Sequence, residues 1–364
     1  MLRKITLKQI SLLFIIITIT GFFVFLTAFC SVSNNNIHSV SRQGFLMDTV
    51  MQISINTNFT PEKDNEILNR AFAILTSIDS LLSIYNPESE LSKINAKSGR
   101  ESLKAHEITF NAIFQAKKAH ELTGGIFNPL IGAVTKLWKI NRADNKIPTK
   151  TELDNAIKLS DIENLELSNE NNEIFLKSEG SVIDLGGIAK GFASQKIAEY
   201  LLENKINSAL INLGGNVYVI GKNQHNKNWN KDWKIGIQNP LSPRGNAAIV
   251  LSVRDCAVVT SGNYERYKTI NGKKYSHFFN PLTGESVNSN LLSVTVISPD
   301  GSLADALATA FMISGYESSV EILRKIKPVP YALFIQNTKD GLMIFADKNL
   351  KGKIMSSEFP VIYY

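Results

Sequence analysis

The sequence predicts an α+β fold. Three observations carry the prediction: strand-like apolar runs recur between Phe45 and Ala346, amphipathic helical runs stand among them, and no internal repeat or heptad pattern imposes a single repeated unit. With 44% hydrophobic and 20% charged residues the composition is that of an ordinary globular protein, and 364 residues suffice for one large body or two fused lobes.

The N-terminus reads first. Basic residues run through Lys8, an almost uncharged apolar stretch follows from Gln9 to Phe29, and the stretch ends at Cys30. About 20 apolar residues span a bilayer, and the basic flank stays on the cytoplasmic side, so residues 1–30 are expected to be a signal or membrane-anchor segment with the body outside the cytoplasm. Leu26-Thr27-Ala28-Phe29-Cys30 supplies the cysteine of a lipoprotein signal, but Phe29 is bulkier than the small residue such a signal carries there. Lipidation of Cys30 and an uncleaved anchor therefore both stand. Ser31 to Ser41 is rich in Asn and Ser and lacks the apolar surface to fold by itself. Residues 31–43 are expected to be a polar linker, and 44–364 the folded domain.

The remaining cysteine, Cys256, lies in an apolar strand-like setting and is expected in the core rather than as a nucleophile. Half of the formal charge of +6 comes from Arg3, Lys4 and Lys8 in the targeting segment. The folded body shows no basic cluster interleaved with aromatics, so nucleic acid is excluded as a partner.

Along the body, Phe45 to Ile55 reads as a strand, and Pro61 to Tyr85 as a helix with apolar residues at Ile67, Ala71, Ile74 and Ile78. Ile108 to Leu122 is a second helix, stopped by Thr123-Gly124-Gly125. Between Asn141 and Glu179 the spacing predicts a helix and a hairpin. Ser181 to Leu185 reads as a buried strand, Gly186-Gly187 as a turn and Ala189 to Leu202 as a helix. Ala209 to Gly221 is strand, glycine turn, strand. Strands at Ala248–Val253, Leu292–Ile297, Tyr331–Gln336 and Leu342–Ala346 alternate with helices at Ala304–Ser314 and Tyr316–Lys325.

Three segments carry chemistry. Asp184-Leu-Gly-Gly-Ile-Ala-Lys-Gly191 passes from a strand through a paired-glycine turn into a helix, with Lys190 just inside it. Backbone N–H groups at such a turn and a lysine beside them suit a phosphate, although this is neither a Walker loop nor a Rossmann fingerprint. Asp305 and Thr309 stand four residues apart on a helix and project from one face as two hard oxygen donors, a sparse pair suited to Mg²⁺ shared with substrate phosphates. Thr260 to Tyr267 and His277 to Gly284 form a polar, punctuated pair of segments, too irregular for a plain hairpin, and read as an active-site wall with His277 as a general base or stacking group.

Together with Met47-Asp48-Thr49, Ser83-Ile-Tyr85-Asn-Pro87, Gly124-Gly-Ile-Phe-Asn-Pro129, Asn212-Leu-Gly-Gly-Asn216 and Trp233 to Pro240, these segments stand in one order from about Phe45 to Gly315. In that order they resemble the ApbE family of FAD:protein FMN transferases. The resemblance implies a T-fold-related α+β body of mixed sheets and helices with FAD in a cleft between its lobes. It implies Mg²⁺ held by the carbonyl of Ala189, the carboxylate of Asp305 and the hydroxyl of Thr309. It implies an FAD site lined by Met47, Tyr85, Ile126, Phe127, Asn128, Asp184, Lys190 and His277, with Asp184, Lys190 and His277 catalytic. The implied reaction moves FMN from FAD to a Thr or Ser hydroxyl of an exported or membrane flavoprotein, such as a subunit of a membrane redox pump, and releases AMP. Asn128 and Asn280 stand where acidic residues are frequent in the family, Leu130 where threonine is, and Leu282 where arginine is. Two other readings remain at this point: an FAD pyrophosphatase releasing FMN and AMP, and a lipoprotein that carries FAD without cleaving it.

Overall fold

The computed structural model describes residues 37–140, 146–224 and 231–364. The expected targeting segment, Cys30 and the start of the expected linker lie outside these residues. The main sheet has nine strands: β1 (His38–Leu46), β2 (Thr49–Thr57), β6 (Ala209–Leu213), β7 (Asn216–Ile220), β10 (Cys256–Gly262), β13 (Leu291–Ser298), β14 (Tyr331–Thr338), β15 (Gly341–Ala346) and β17 (Val361–Tyr363), side by side in that order. Every pair is antiparallel except β15 with β17.

Strand alternation sends each strand's residues to two different cores. Along β10, Ala257 and Val259 join a helical layer, while Cys256 and Val258 face a second sheet built from β8 (Trp233–Gln238), β9 (Ala247–Val253) and β16 (Ile354–Ser357). β14 repeats the pattern, with Ala332 and Phe334 against helices and Leu333 and Ile335 against the small sheet. The main sheet is therefore covered on both faces, by helices on one and by strands on the other.

The helical layer comprises α1 (Pro61–Leu82), α2 (Glu90–Ala96), α3 (Glu107–Leu122), α6 (Ala189–Glu203) and α7 (Gly301–Lys325). α1 starts where the Thr60 hydroxyl accepts a hydrogen bond from the Lys63 N–H and Pro61 fills the first helical position. It buries Ile67, Leu68, Ala71, Leu75 and Ile78 along one face. α3 stops at the expected glycines, Gly124 and Gly125, whose φ values of +61° and +90° a residue with a Cβ rarely adopts. α7 is one helix broken at Gly315 (φ +78°), so the two helices expected on either side of residue 315 are its halves. A third sheet, β3 (Leu103–Lys104), β5 (Glu173–Leu176) and β4 (Leu165–Ser168), supplies the expected hairpin before Glu179. The helix expected there is α5 (Lys150–Leu159), which packs with α4 (Gly132–Trp138) and Phe279 in a separate small core.

Three expectations need correction. The tract read as linker is β-strand from His38 onward, because β1 pairs with β2 along its whole length and needs little apolar surface at the sheet edge. Ser181–Leu185 is largely buried but is not a strand: among the described residues its one ladder partner is Ile131 opposite Val182, and Asn95 satisfies Ile183 by accepting from its N–H and donating to its carbonyl. The two wall segments, read as too irregular for a plain hairpin, are joined by one: β11 (Tyr267–Ile270) with β12 (Lys273–Ser276), turned at Asn271-Gly272 with φ +49° and +78°.

Candidate active site

The N-termini of α6 and α7 meet at two glycines. A Cβ on Gly191 would lie 2.1 Å from the Gly301 carbonyl oxygen and 2.6 Å from Asp305 Cβ, so only glycine permits this crossing. The close approach lets the Gly191 N–H donate to Asp305 Oδ2 at 2.8 Å. Asp305 is 4% exposed. Burial pushes its pKa up, while Lys190, the Gly191 and Lys190 amides and the Asn216 side chain each work the other way. One turn along α7, Thr309 Oγ1 lies 3.4 Å from the Gly187 carbonyl, and a Cβ on Gly187 would meet both Thr309 and the Phe127 ring edge.

This group tests the expected cation site. A buried carboxylate, a hydroxyl and the Gly187 carbonyl are hard oxygen donors of the kind Mg²⁺ accepts, and they stand where the starts of two helices meet. Among the described residues no cluster of three or more His, Cys, Asp or Glu side chains exists, so a cation here relies on backbone, hydroxyl, water and substrate oxygens. The donor set fits Mg²⁺.

Lys190 reaches from this group toward the wall, since its charge acts on both Asp305 and His277. His277 Nδ1–H donates to the Arg266 carbonyl at 2.9 Å, which leaves Nε2 as the acceptor. Burial first, then the positive charges of Arg266 and Lys190, hold the His277 pKa down to about 4, so the ring is neutral at pH 7. Its ring packs on Phe278 with centroids 4.1 Å apart. Asp184 completes this side: its Oδ1 accepts from the Gly186 N–H at 2.8 Å, Thr135 also bonds it, and Lys136 and Arg266 lie near enough to oppose the upward shift that burial imposes.

Of the other expected residues, Phe127 stands beside Gly187, and the rest lie on loops with contacts of their own. Met47 is at the tip of the β1–β2 turn, where Met47 and Asp48 both take φ near +50°, a conformation that side-chain-bearing residues adopt under constraint. Its N–H donates to Asp79 Oδ2 at 3.3 Å. Tyr85, in the loop from α1 to α2, presents a ring that is 65% exposed. Phe127 is buried, Ile126 half-buried. Asn128 is committed to holding its own loop: Nδ2 donates to the Ser160 carbonyl and Oδ1 accepts from the Leu130 N–H. That double use explains why an amide at this position is self-sufficient where an acid would not be. Leu282 is 78% exposed.

The profile of the ApbE family matches residues 47–334. The chain belongs to the ApbE family. Among its relatives, the FAD:protein FMN transferase of Treponema pallidum is 31% identical over 86% of this chain and 87% of its own length. That of Klebsiella pneumoniae is 29% identical over 91% and 98%. Among solved structures, the flavin transferase ApbE from Vibrio cholerae superposes with a TM-score of 0.76 at 26% identity, covering 87% of this chain and 99% of that one. The ApbE protein from Thermotoga maritima gives 0.77 at 26% identity, covering 88% and 100%. The α+β fold expected from the sequence is thus the fold of this family.

Three residues of the site received no individual role from the sequence. Arg266 acts on both Asp184 and His277 from inside the wall, Thr135 bonds Asp184, and Asn216 reaches Asp305 from the far side of a glycine turn. The polarity of the wall and the motif ending at Asn216 were visible, but Asp184 and Asp305 lie about 50 to 90 positions away along the chain from the residues that bond or charge them.

Proposed function

We propose that this ApbE-family protein transfers FMN from FAD to a Ser or Thr hydroxyl of an exported or membrane flavoprotein and releases AMP. The observation that carries the reading is the convergence of a buried carboxylate, a hydroxyl, a paired-glycine helix start and Lys190 beside His277, a place built for a pyrophosphate and a proton acceptor. The names of the relatives supply the reaction class.

Asp305, Thr309 and the Ala189 carbonyl would hold Mg²⁺, which when bound neutralises charge on the pyrophosphate and on the departing AMP. The turn from Gly186 to Lys190 receives the phosphates, because its glycines admit close approach and Lys190 adds a positive charge. Met47, Tyr85, Ile126 and Phe127 supply the apolar and aromatic contacts for the FAD, and Asn128 shapes the loop that bears two of them. The acceptor oxygen attacks the FMN phosphorus, the bond from that phosphorus to the bridging oxygen breaks, and AMP leaves with the bridging oxygen. The hydroxyl proton passes to Asp184, a stronger base than an ordinary carboxylate because burial raises its pKa, or to the open Nε2 of His277.

The basic and apolar N-terminal segment supports attachment to the cytoplasmic membrane, by an uncleaved anchor or by lipid on Cys30, with the domain facing the exterior or periplasm.

The test is incubation with FAD, Mg²⁺ and a candidate acceptor flavoprotein, followed by denaturing electrophoresis. Flavin fluorescence on the acceptor that disappears with EDTA supports the transferase. Free FMN and AMP with every acceptor offered would turn the reading to a pyrophosphatase, and intact bound FAD to a carrier.

A further inference from the structure

Asn216 lies between two elements of the site and has no role in the reaction described above. It opens β7 directly after Gly214 and Gly215, both at positive φ, and is 2% exposed. Two groups face its amide. On one side the Ser194 hydroxyl, on the first turns of α6, lies 3.4 Å from Oδ1 and also donates to the Gly191 carbonyl at 2.9 Å. On the other side is the carboxylate of Asp305, which the amide approaches. Nδ2 is buried and reaches no well-formed hydrogen bond, so it lies beside the carboxylate without a full partner of its own.

The orientation of the amide follows from these neighbours. A carboxylate only accepts hydrogen bonds, so the NH₂ end belongs on its side, and the hydroxyl, which can donate, belongs with Oδ1. A buried donor without a full partner is costly and is retained where it serves something else. Here the donor is aimed at a carboxylate whose other oxygen is already fixed by the Gly191 N–H. With one oxygen held by the backbone and a buried amide beside the group, the carboxylate is restricted in how it can turn. Glycines on both sides of Asn216 and Asp305 make that geometry possible: Gly214 and Gly215 turn the strand start, and Gly191 brings the helices together.

We infer that Asn216 is a positioning residue that orients the Asp305 carboxylate for the cation, with Ser194 setting the direction of its amide. The inference rests on the metal assignment proposed above. Residues that orient a metal ligand contribute about 10- to 100-fold in metal affinity when removed.

The experiment measures Mn²⁺ binding to the full-length protein by electron paramagnetic resonance, with no substrate present, alongside the thermal midpoint of each variant. Asn216→Ala is expected to weaken Mn²⁺ binding at least 10-fold, and Ser194→Ala to weaken it by a smaller factor in the same direction; should the first variant fail to fold, the second carries the test. In the transferase assay Asn216→Ala raises the Mg²⁺ concentration needed for half-maximal rate, while the KM for FAD at saturating Mg²⁺ changes little. Mn²⁺ affinity equal to the unsubstituted protein in both variants overturns the role of Asn216 and leaves the metal assignment standing. No Mn²⁺ bound by the unsubstituted protein overturns the metal assignment and this inference with it.

Discussion

Gly191→Ala places the heaviest demand on the account of the site. The added methyl would sit 2.1 Å from the Gly301 carbonyl oxygen, which is backbone and cannot rotate away, and 2.6 Å from Asp305 Cβ. The N-termini of α6 and α7 must separate to admit it. Overpacking of this kind costs about 1–3 kcal/mol, and stretching the Gly191 N–H bond to a buried carboxylate costs about 1.5–3 kcal/mol more. A total of about 2.5–6 kcal/mol, set against an unfolding entropy of about 0.7 kcal/mol/K for a folded body of about 330 residues, corresponds to a fall in thermal midpoint of about 4–9 °C. The same separation moves Lys190 and the turn relative to Asp305 and Thr309, and a displacement near 1 Å lowers a positioned reaction by roughly 100-fold. Differential scanning calorimetry with the acceptor-labelling assay reads both effects. A variant melting within about 2 °C of the unsubstituted protein and retaining its Mg²⁺-dependent rate would refute the claim that the glycine crossing builds the site.

Further outcomes follow from the same geometry. Asp305→Asn should lose the EDTA-sensitive transfer by roughly 100- to 1,000-fold. Without Mg²⁺ it should melt at or above the temperature of the unsubstituted protein, because burial raises the carboxyl pKa in the folded state and so disfavours the ionised group above its unfolded pKa; a lower melting temperature would count against that. His277, held down to about 4 by burial, should not produce an activity limb near pH 6.5; a limb there in the profile of kcat/KM would show that the ring titrates normally. Because the folded ring resists protonation, stability should fall as pH drops from the ordinary histidine range toward about 4, and His277→Gln should remove that part of the loss in pH-dependent denaturation curves. Cys256, buried with its pKa pushed up to about 12, should escape iodoacetamide in the folded protein and react after denaturation; peptide mass spectrometry distinguishes the two.

The sequence carried the helices well because their signals are local. Thr60-Pro61 begins α1, the glycines after Thr123 end α3, and Gly315 divides α7 where the pattern of two helices suggested. It carried the edge strand β1 poorly, since its exposed polar residues resemble a linker until β2 is laid beside them. Ser181–Leu185 misled in the opposite direction: burial made it look like a strand, yet a side chain, Asn95, takes the place of a neighbouring ladder. Asp305, Thr309 and Lys190 were legible as types with suitable spacing. The links among them were not, because the contacts from Asn216 and Gly191 to Asp305 depend on how separate elements cross.

The break in α7 gives the protein two mechanical territories on one helix. Asp305 and Thr309 ride on the half before Gly315, against α6, while beyond it Tyr316 packs among Phe334, Phe345 and Tyr364. A residue at φ +78° transmits neither the helical hydrogen-bond register nor its twist. A change beyond Gly315 therefore reaches the carboxylate through packing, where Phe311 meets Phe334, and not through a rotation carried along the helix.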